Sequence, residues 1–406
     1  MTYQKICLGL RLFFLITLVG FIIVCWCFAE DAPQSYSEVL KKTILEASIP
    51  DIKGRFRIPT GRIVGRPFDI SVDYRPIKGL ESPDAVPFLI DVMINGPDWE
   101  DKQLLTMHGG ILPHLARCIA ASNLGAHKDP RAYEPLLEML NKGDFLEEKY
   151  HITYFEKNKY DIKKYAAEAL GILGDPRGID PLIAAIQNDE CAQDIKQEAS
   201  RSLGYLRDPN AVDFLVEAAK NKKTNKSLRW ESIKSLSRIR DMRTVPIIIE
   251  IAEEIGEADT MHDYLAYMTK VEFNLKYSRE DRAYTVREFP ELGKIDSSLK
   301  VWRHWLNIGK KYTEDEFQKQ YSQWHTVKQT RSEEKAAIKN EYRKMLKFGV
   351  ASLPLMIEKI SQGELALIPA VSELTNRNLK EDATQDECLQ WWKKNKQRWL
   401  IPFKKN

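Results

Sequence analysis

One short motif recurs along this chain at intervals that constrain its fold. The clearest copy, residues 164–186 (KYAAEALGILGDPRGIDPLIAAI), reads as a helix, a tight turn and a second helix. A partial copy of the turn lies at Ser82, and full copies lie at Asp129, Asp175, Asp208 and Asp241, which gives spacings of 47, 46, 33 and 33 residues. Periods in this range predict a solenoid, because a single helical pair buries its apolar face only by stacking on its neighbours.

Each turn repeats residue types that have definite physical roles. The aspartate is a strong N-cap, and in three copies proline follows it at the first helical position, where its missing N–H is not needed. Four residues earlier the chain has a small residue, which costs up to about 1 kcal/mol of helix propensity and predicts close approach of two helices. The small residues are Gly125, Gly171, Gly204 and Ser237, and the leucines that precede them are Leu124, Leu170, Leu203 and Leu236.

The stretch AAEALGILGDPRGIDPL resembles the HEAT-like repeats of the phycobilin-lyase type, and the resemblance extends over roughly residues 82–254. It implies an all-α fold, a right-handed α-α superhelix of the HEAT/armadillo-like solenoid class. It implies little about activity, because this repeat serves proteins with many unrelated partners. A bilin-lyase-like enzyme therefore stays only a remote alternative.

The first 29 residues differ in composition from the rest. Lys5 and Arg11 precede an uncharged apolar run over residues 12–29, which ends at Glu30. A basic start, an apolar middle and a small residue at the end predict an export signal. The run is also almost long enough to span a bilayer, so a cleaved signal peptide and an uncleaved transmembrane anchor both stay open. Either interpretation predicts an exported protein, located in the periplasm, the cell envelope or the secreted space.

Four regions follow from this composition: residues 1–29, a signal peptide or membrane anchor; 30–80, an extended arm or linker; 81–257, the HEAT-like repeat solenoid; and 258–406, a helical C-terminal region of degenerate repeats. Within the arm we expect a short helix over 37–47 and a hairpin around 59–61. The segment 143–163 interrupts the period and is either a binding insertion or a plain surface loop. Residues 348–360 again look like the second helix of a repeat.

The C-terminal region is tryptophan-rich and basic. Residues 299–406 have a net charge of +8, whereas residues 30–298 have −7, which hints at opposed surfaces for self-association or an anionic partner. Trp391, Trp392 and Trp399 lie among lysines and arginines. We expect these tryptophans to cap the core, since tryptophan is mostly buried, and the alternative is contact with a membrane surface.

No motif for chemistry emerges from the residues. The chain has no HExxH, no Gly-rich phosphate loop and no GxSxG. It also has no His-Glu dipeptide, the metal-binding pair of the di-iron HEAT-repeat hydroxylases. The three cysteines beyond the first segment, Cys118, Cys191 and Cys388, predict neither a disulfide framework nor a metal site. Arg131, Arg177 and Arg243 follow their caps by two residues, where they either form a cationic ladder or, as we favour, pair with acidic neighbours.

The function that these patterns favour is a non-catalytic protein-binding scaffold that uses the solenoid surface, with the second helices expected to line its concave face. No catalytic, cofactor-binding or metal-binding residue is predicted, and we expect a protein partner rather than nucleic acid or a small-molecule substrate. The alternative is a structural envelope protein that associates with a membrane or with wall polyanions through its basic, tryptophan-rich C-terminal region.

Overall fold

The computed structural model describes residues 35–47, 62–63, 73–98, 111–143, 161–256, 258–273, 275–280, 282–330 and 335–403. The predicted signal or anchor segment and most of the 143–163 insertion lie outside these ranges. Within the described ranges, no helix is both long enough and apolar enough to cross a membrane.

The described chain is mostly helical. The N-terminal arm contributes α1 (Tyr36–Ala47), and the repeat array consists of α2 (Ala85–Asn95), α3 (Ile111–His127), α4 (Tyr133–Lys142), α5 (Ile162–Leu173), α6 (Ile179–Gln187), α7 (Gln193–Leu206), α8 (Val212–Lys220), α9 (Lys226–Ile239), α10 (Val245–Ile255) and α11 (Ala258–Thr269). The C-terminal region consists of α12 (Leu299–Thr330), α13 (Lys335–Leu346), α14 (Leu353–Ser361), α15 (Ile368–Leu374) and α16 (Gln385–Trp399). The all-α solenoid is therefore confirmed.

The four full turns share one local structure. In each, the aspartate side chain accepts a hydrogen bond from the backbone N–H two residues later, as Asp175 does from Arg177 at 3.0 Å. A short 3-10 turn then leads into the second helix. The residue before the aspartate is left-handed in all four, with φ of 53° at Lys128, 79° at Gly174, 54° at Arg207 and 60° at Arg240. This left-handed residue ends the first helix, and the aspartate begins the next.

The small residues lie where successive first helices touch. A Cβ on Gly125 would lie 2.7 Å from Ala169 Cα, and one on Gly171 would lie 2.5 Å from Ser202 Cβ. The first helices α3, α5, α7 and α9 accordingly form a tight layer, whereas α4, α6, α8 and α10 touch one another only slightly. In a curved stack, the layer with the shorter spacing lies on the inside. The concave side is thus lined by the first helices, and the expectation that the second helices line it is wrong.

The apolar positions of the motif fill the space between the two layers. The four leucines that precede the small residues are fully buried, and so are the aliphatic residues seven positions after each aspartate. The latter are Leu136, Leu182, Leu215 and Ile248. Cys118 is fully buried in α3.

The N-terminal arm agrees with the sequence only in part. The predicted helix is present as α1, which packs on α3. The predicted hairpin turn at 59–61 lies outside the described residues. Close to it, β1 (Arg62–Ile63) pairs antiparallel with β2 (Asp73–Tyr74).

The C-terminal region closes the end of the array. The expected repeat-like segment is confirmed, because a 3-10 turn at Gly349–Ser352 leads into α14 as in the repeats. A hairpin of β3 (Leu275–Ser278) and β4 (Ala283–Val286) was not predicted. Trp302, Trp305 and Trp399 are buried, while Trp391 and Trp392 are half-buried, which supports the capping interpretation of the tryptophans.

Candidate binding groove

The concave layer displays a set of polar and aromatic side chains on three successive first helices. On α7 and α9 they occupy equivalent positions, ten, seven and three residues before the aspartate of the turn, except Trp230, which stands eleven residues before Asp241. Helix α11 continues the first two positions. We call this set the inner groove. Its members are Glu198, Arg201 and Tyr205 on α7; Trp230, Glu231, Lys234 and Arg238 on α9; and Tyr264 and Tyr267 on α11.

A shared arginine joins the acidic residues of the inner groove. Arg201 Nη1 donates to Glu198 Oε2 at 2.6 Å, and Arg201 Nε donates to Glu231 Oε1 at 2.8 Å. Lys234 forms a further ion pair with Glu231. The carboxylates are almost fully buried, whereas the Arg201 side chain is 27% exposed and opens onto solvent. Buried charges of this kind persist when they are paired, so the network fixes the relative position of α7 and α9.

The two carboxyl groups titrate differently because they have different cationic neighbours. Burial raises the pKa of Glu198 to about 7, and Arg201 only partly opposes that effect. Burial by itself would also raise the pKa of Glu231, but Arg201 and Lys234 together reverse the effect and hold the pKa below its usual value. Glu198 therefore gains a proton in the folded protein near neutral pH, while Glu231 stays ionised.

This difference predicts a pH dependence of stability. Folding raises the pKa of Glu198 from its usual value of 4.5 to about 7, so between these two pH values the folded protein holds an extra proton and its stability falls as pH rises. We expect the free energy of unfolding of the wild type to fall by up to about 3 kcal/mol between pH 5 and pH 8, and that of Glu198→Gln to fall much less. Urea unfolding at several pH values measures both. Glu190→Gln, an exposed carboxylate change, is the control, and identical pH profiles for wild type and Glu198→Gln would contradict the assignment.

Aromatic rings form the walls of the inner groove. Trp230 and Tyr264 meet edge to face, with ring centroids 6.2 Å apart. Lys234 Nζ lies 5.5 Å from the centroid of Trp230, and Arg238 Cζ lies 5.4 Å from that of Tyr205. Half-buried aromatic rings beside charged groups are typical of the anchors in protein–protein interfaces.

The arginines that the sequence singled out lie at the turns, outside the inner groove. Each pairs with its own capping aspartate, as Arg131 does with Asp129 at 2.7 Å. Arg177 alone among the three also reaches an acidic residue of the neighbouring repeat, Glu134, at 3.5 Å. It lies 3.9 Å above the ring of Tyr133 as well. The favoured ion-pair interpretation is therefore confirmed, with the correction that the main partner is the cap itself.

His127 and Cys388 have packing roles. His127 is half-buried, and burial lowers its pKa. Cys388 is buried, and burial raises the pKa of its thiol to about 11, which makes it a poor nucleophile. Among the described residues, no cluster of His, Cys, Asp or Glu is arranged to hold a metal ion. The predicted lack of catalytic activity stays a prediction.

Sequence reasoning missed every residue of the inner groove. A signal for them exists in the repeat itself, because Glu198 and Glu231, Arg201 and Lys234, and Tyr205 and Arg238 stand 33 residues apart at equivalent places. Apolar residues that recur at equivalent places in successive repeats identify the core, whereas polar residues that recur in this way identify a surface that runs across the repeats. Only the apolar matches entered the sequence interpretation.

Comparison with known families agrees with this geometry. A family model described as HEAT repeats matches residues 189–257, and one described as PBS lyase HEAT-like repeat matches residues 116–142 and 162–188. The matched stretches contain α7 and α9, the core of the inner groove. No curated protein matches the chain. The repeated turns, the tight layer of first helices and the matched models together show that this protein contains an array of HEAT repeats.

Proposed function

We propose that this protein is a non-catalytic scaffold that binds a protein partner in the inner groove. The observation that carries the proposal is the juxtaposition of Trp230 and Tyr264 beside a buried ion network on the concave layer. HEAT repeats commonly mediate protein interactions, and a concave surface lined by half-buried aromatic rings offers the rigid anchors that such contacts need.

The proposed location is the cell envelope or the secreted space. It rests on the basic and apolar character of residues 1–29 in the sequence. The alternative role, attachment to a membrane or wall through the C-terminal region, draws less support, because Trp399 is buried and Trp391 packs against it with ring centroids 6.4 Å apart.

Site-specific photo-crosslinking tests the proposal. A photoreactive amino acid at Trp230 in the full chain is expected to capture a protein partner from the native envelope fraction. The same amino acid at Glu217, which is exposed on the outer helix α8, is expected to capture none. Partner crosslinks at Glu217 but not at Trp230 would overturn the assignment of the groove.

Substitution of the aromatic wall gives a second readout. With the photoreactive amino acid placed at Tyr267 instead, Trp230→Ala is expected to weaken partner capture about tenfold or more, because aromatic anchors carry most of the energy of an interface. Phe214→Ala is the matched control, since Phe214 is also a half-buried aromatic residue but lies on α8 in the outer layer. The melting temperature of each variant separates lost binding from lost folding. Equal capture by both variants would contradict a role for the inner groove.

A further inference from the structure

Arg238 differs from the other buried cations of the inner groove. Arg238 is only 8% exposed, yet its Nε has no hydrogen-bond partner in the described structure. Among the described residues, the hydrogen bond of its side chain is a long contact of 3.5 Å from Nη1 to Ser235 Oγ. Arg201, by contrast, contacts two carboxylates. Within the described ranges no carboxylate lies at ion-pair distance from Arg238, so a buried cation here keeps an unused donor.

Further cations follow close to the ring on which Arg238 packs. Arg238 lies over the ring of Tyr205, and Arg207 follows Tyr205 by two residues. Arg207 donates to the hydroxyl of Tyr267 at 3.4 Å, and Lys270 Nζ lies 4.9 Å from the centroid of the same ring. Burial together with the charges of Arg240 and Arg207 lowers the pKa of Lys270, which shows that these cations crowd one another. The groups lie together although the repeat region as a whole is acidic.

A recess of about 530 Å³ extends this surface onto the C-terminal region. Lys270, Arg343 and Lys347 line it, together with Glu272 and Glu373. No ion pair holds Arg343 or Lys347 within the described part of the chain. The cations therefore outnumber the acidic groups, and the surface is suited to an anionic ligand.

We propose that Arg238, Arg207, Lys270, Arg343 and Lys347 form a cationic surface that binds an acidic segment of a partner protein, with one carboxylate of that segment on the guanidinium of Arg238. The inference rests on the proposed function and names the chemistry of the partner. A carboxylate on a flexible side chain is narrow enough to enter between the aromatic rings, and it matches the planar fork of an arginine. The tyrosines beside it supply apolar contact for the rest of the segment.

Peptide binding to the full chain tests the inference. The probe is a fluorescent ten-residue peptide of alternating glutamate and alanine, and its matched control has glutamine in place of glutamate. We expect the glutamate peptide to bind and the glutamine peptide to bind at least about tenfold more weakly, because charge-assisted hydrogen bonds are the stronger class. Equal affinity for the two peptides, or no binding of the glutamate peptide at millimolar concentration, would overturn the inference.

Variants assign the binding to Arg238. Arg238→Gln is expected to weaken binding of the glutamate peptide about tenfold or more. Arg238→Lys keeps the charge but loses the planar fork of donors, so its affinity is expected to lie between those of Arg238→Gln and the wild type. Lys222→Gln, a change at a side chain that is 77% exposed and pairs with Glu254 near the outer layer, should leave affinity within about twofold. An unchanged affinity in Arg238→Gln, with its melting temperature intact, would refute the role of this residue.

Two further measurements separate the sources of negative charge and the two proposals. If inorganic polyphosphate or vesicles of anionic phospholipid bound more tightly than the peptide and with the same dependence on Arg238, the protein partner proposed here would be wrong. If the crosslinker at Trp230 still captured a protein while the glutamate peptide failed to bind, the scaffold function would be supported and the acidic chemistry of the partner would be contradicted. If crosslinks appeared only at the outer layer, the scaffold function of the groove would itself be contradicted.

Discussion

Replacing Gly171 with valine is expected to lower the free energy of unfolding by about 3–5 kcal/mol, because the new side chain has no room. Gly171 lies where α5 crosses α7, and a Cβ there would lie 2.7 Å from the backbone Cα of Ser202. Backbone atoms cannot turn aside as a flexible side chain can, so the two helices must separate. Urea unfolding followed by circular dichroism measures the loss through the shift of the midpoint.

The last repeat supplies a matched control for this effect. Ser237 occupies the position that Gly171 occupies two repeats earlier, and it already accommodates a side chain whose hydroxyl donates to Ile233 O at 3.0 Å. Ser237→Ala should therefore cost about 1 kcal/mol or less. If Gly171→Val unfolded at the same urea concentration as the wild type, that result would contradict the close packing of α5 against α7 at Gly171.

The same comparison explains why the array could be predicted from sequence. Aspartate, proline and glycine each have a local physical role, so their recurrence identifies the turn without any knowledge of distant contacts. Buried leucines at fixed places then follow from the helical period. The curvature of the stack does not follow in this way, because it depends on how closely each layer packs, and Gly125, Gly171 and Gly204 exert their effect only against a neighbouring helix.

The inner groove and the C-terminal region depend on contacts between distant parts of the chain. Arg238 and Arg201 look alike in sequence, and only the structure shows that one has two carboxylates while the other has an unused donor. The β3–β4 hairpin has a similar cause, since its four-residue strands are short and no strong turn dipeptide separates them. Local sequence patterns thus identify the repeats, whereas tertiary packing determines which side chains form the inner groove and how the C-terminal region is arranged.

The attachment of the C-terminal region to the array leads to the second large expected effect. Arg240, the left-handed residue before Asp241, is 3% exposed and spans the junction. Its Nε donates to Met268 O at 2.8 Å, and its Nη2 donates to Leu374 O at 2.8 Å. The guanidinium also lies 5.2 Å from the centroid of Trp399. One side chain therefore joins α9, α11, α15 and α16.

Replacing Arg240 with methionine is expected to destabilise the protein by about 3 kcal/mol, because two buried carbonyl groups lose their donor. The loss should be concentrated at the junction, so amide hydrogen exchange in α15 and α16 should accelerate more than exchange in α5. Arg207→Met is the matched control. Arg207 has the same left-handed backbone at the equivalent place one repeat earlier, but it is exposed and, among the described residues, donates only to the Tyr267 hydroxyl. Its loss should therefore change stability by about 0.5 kcal/mol or less.

The contrast between these two arginines tests how the solenoid ends. Equivalent positions in a repeat share backbone geometry, but the last copy faces a different neighbour and acquires a different role. If Arg240→Met left exchange in α15 and α16 unchanged, the C-terminal region would be held by its apolar contacts alone. If exchange rose there and the photo-crosslinker at Trp230 still captured a partner, the groove would not need the closed end. Loss of both would mean that the C-terminal region holds α11, and with it Tyr264, in place for binding.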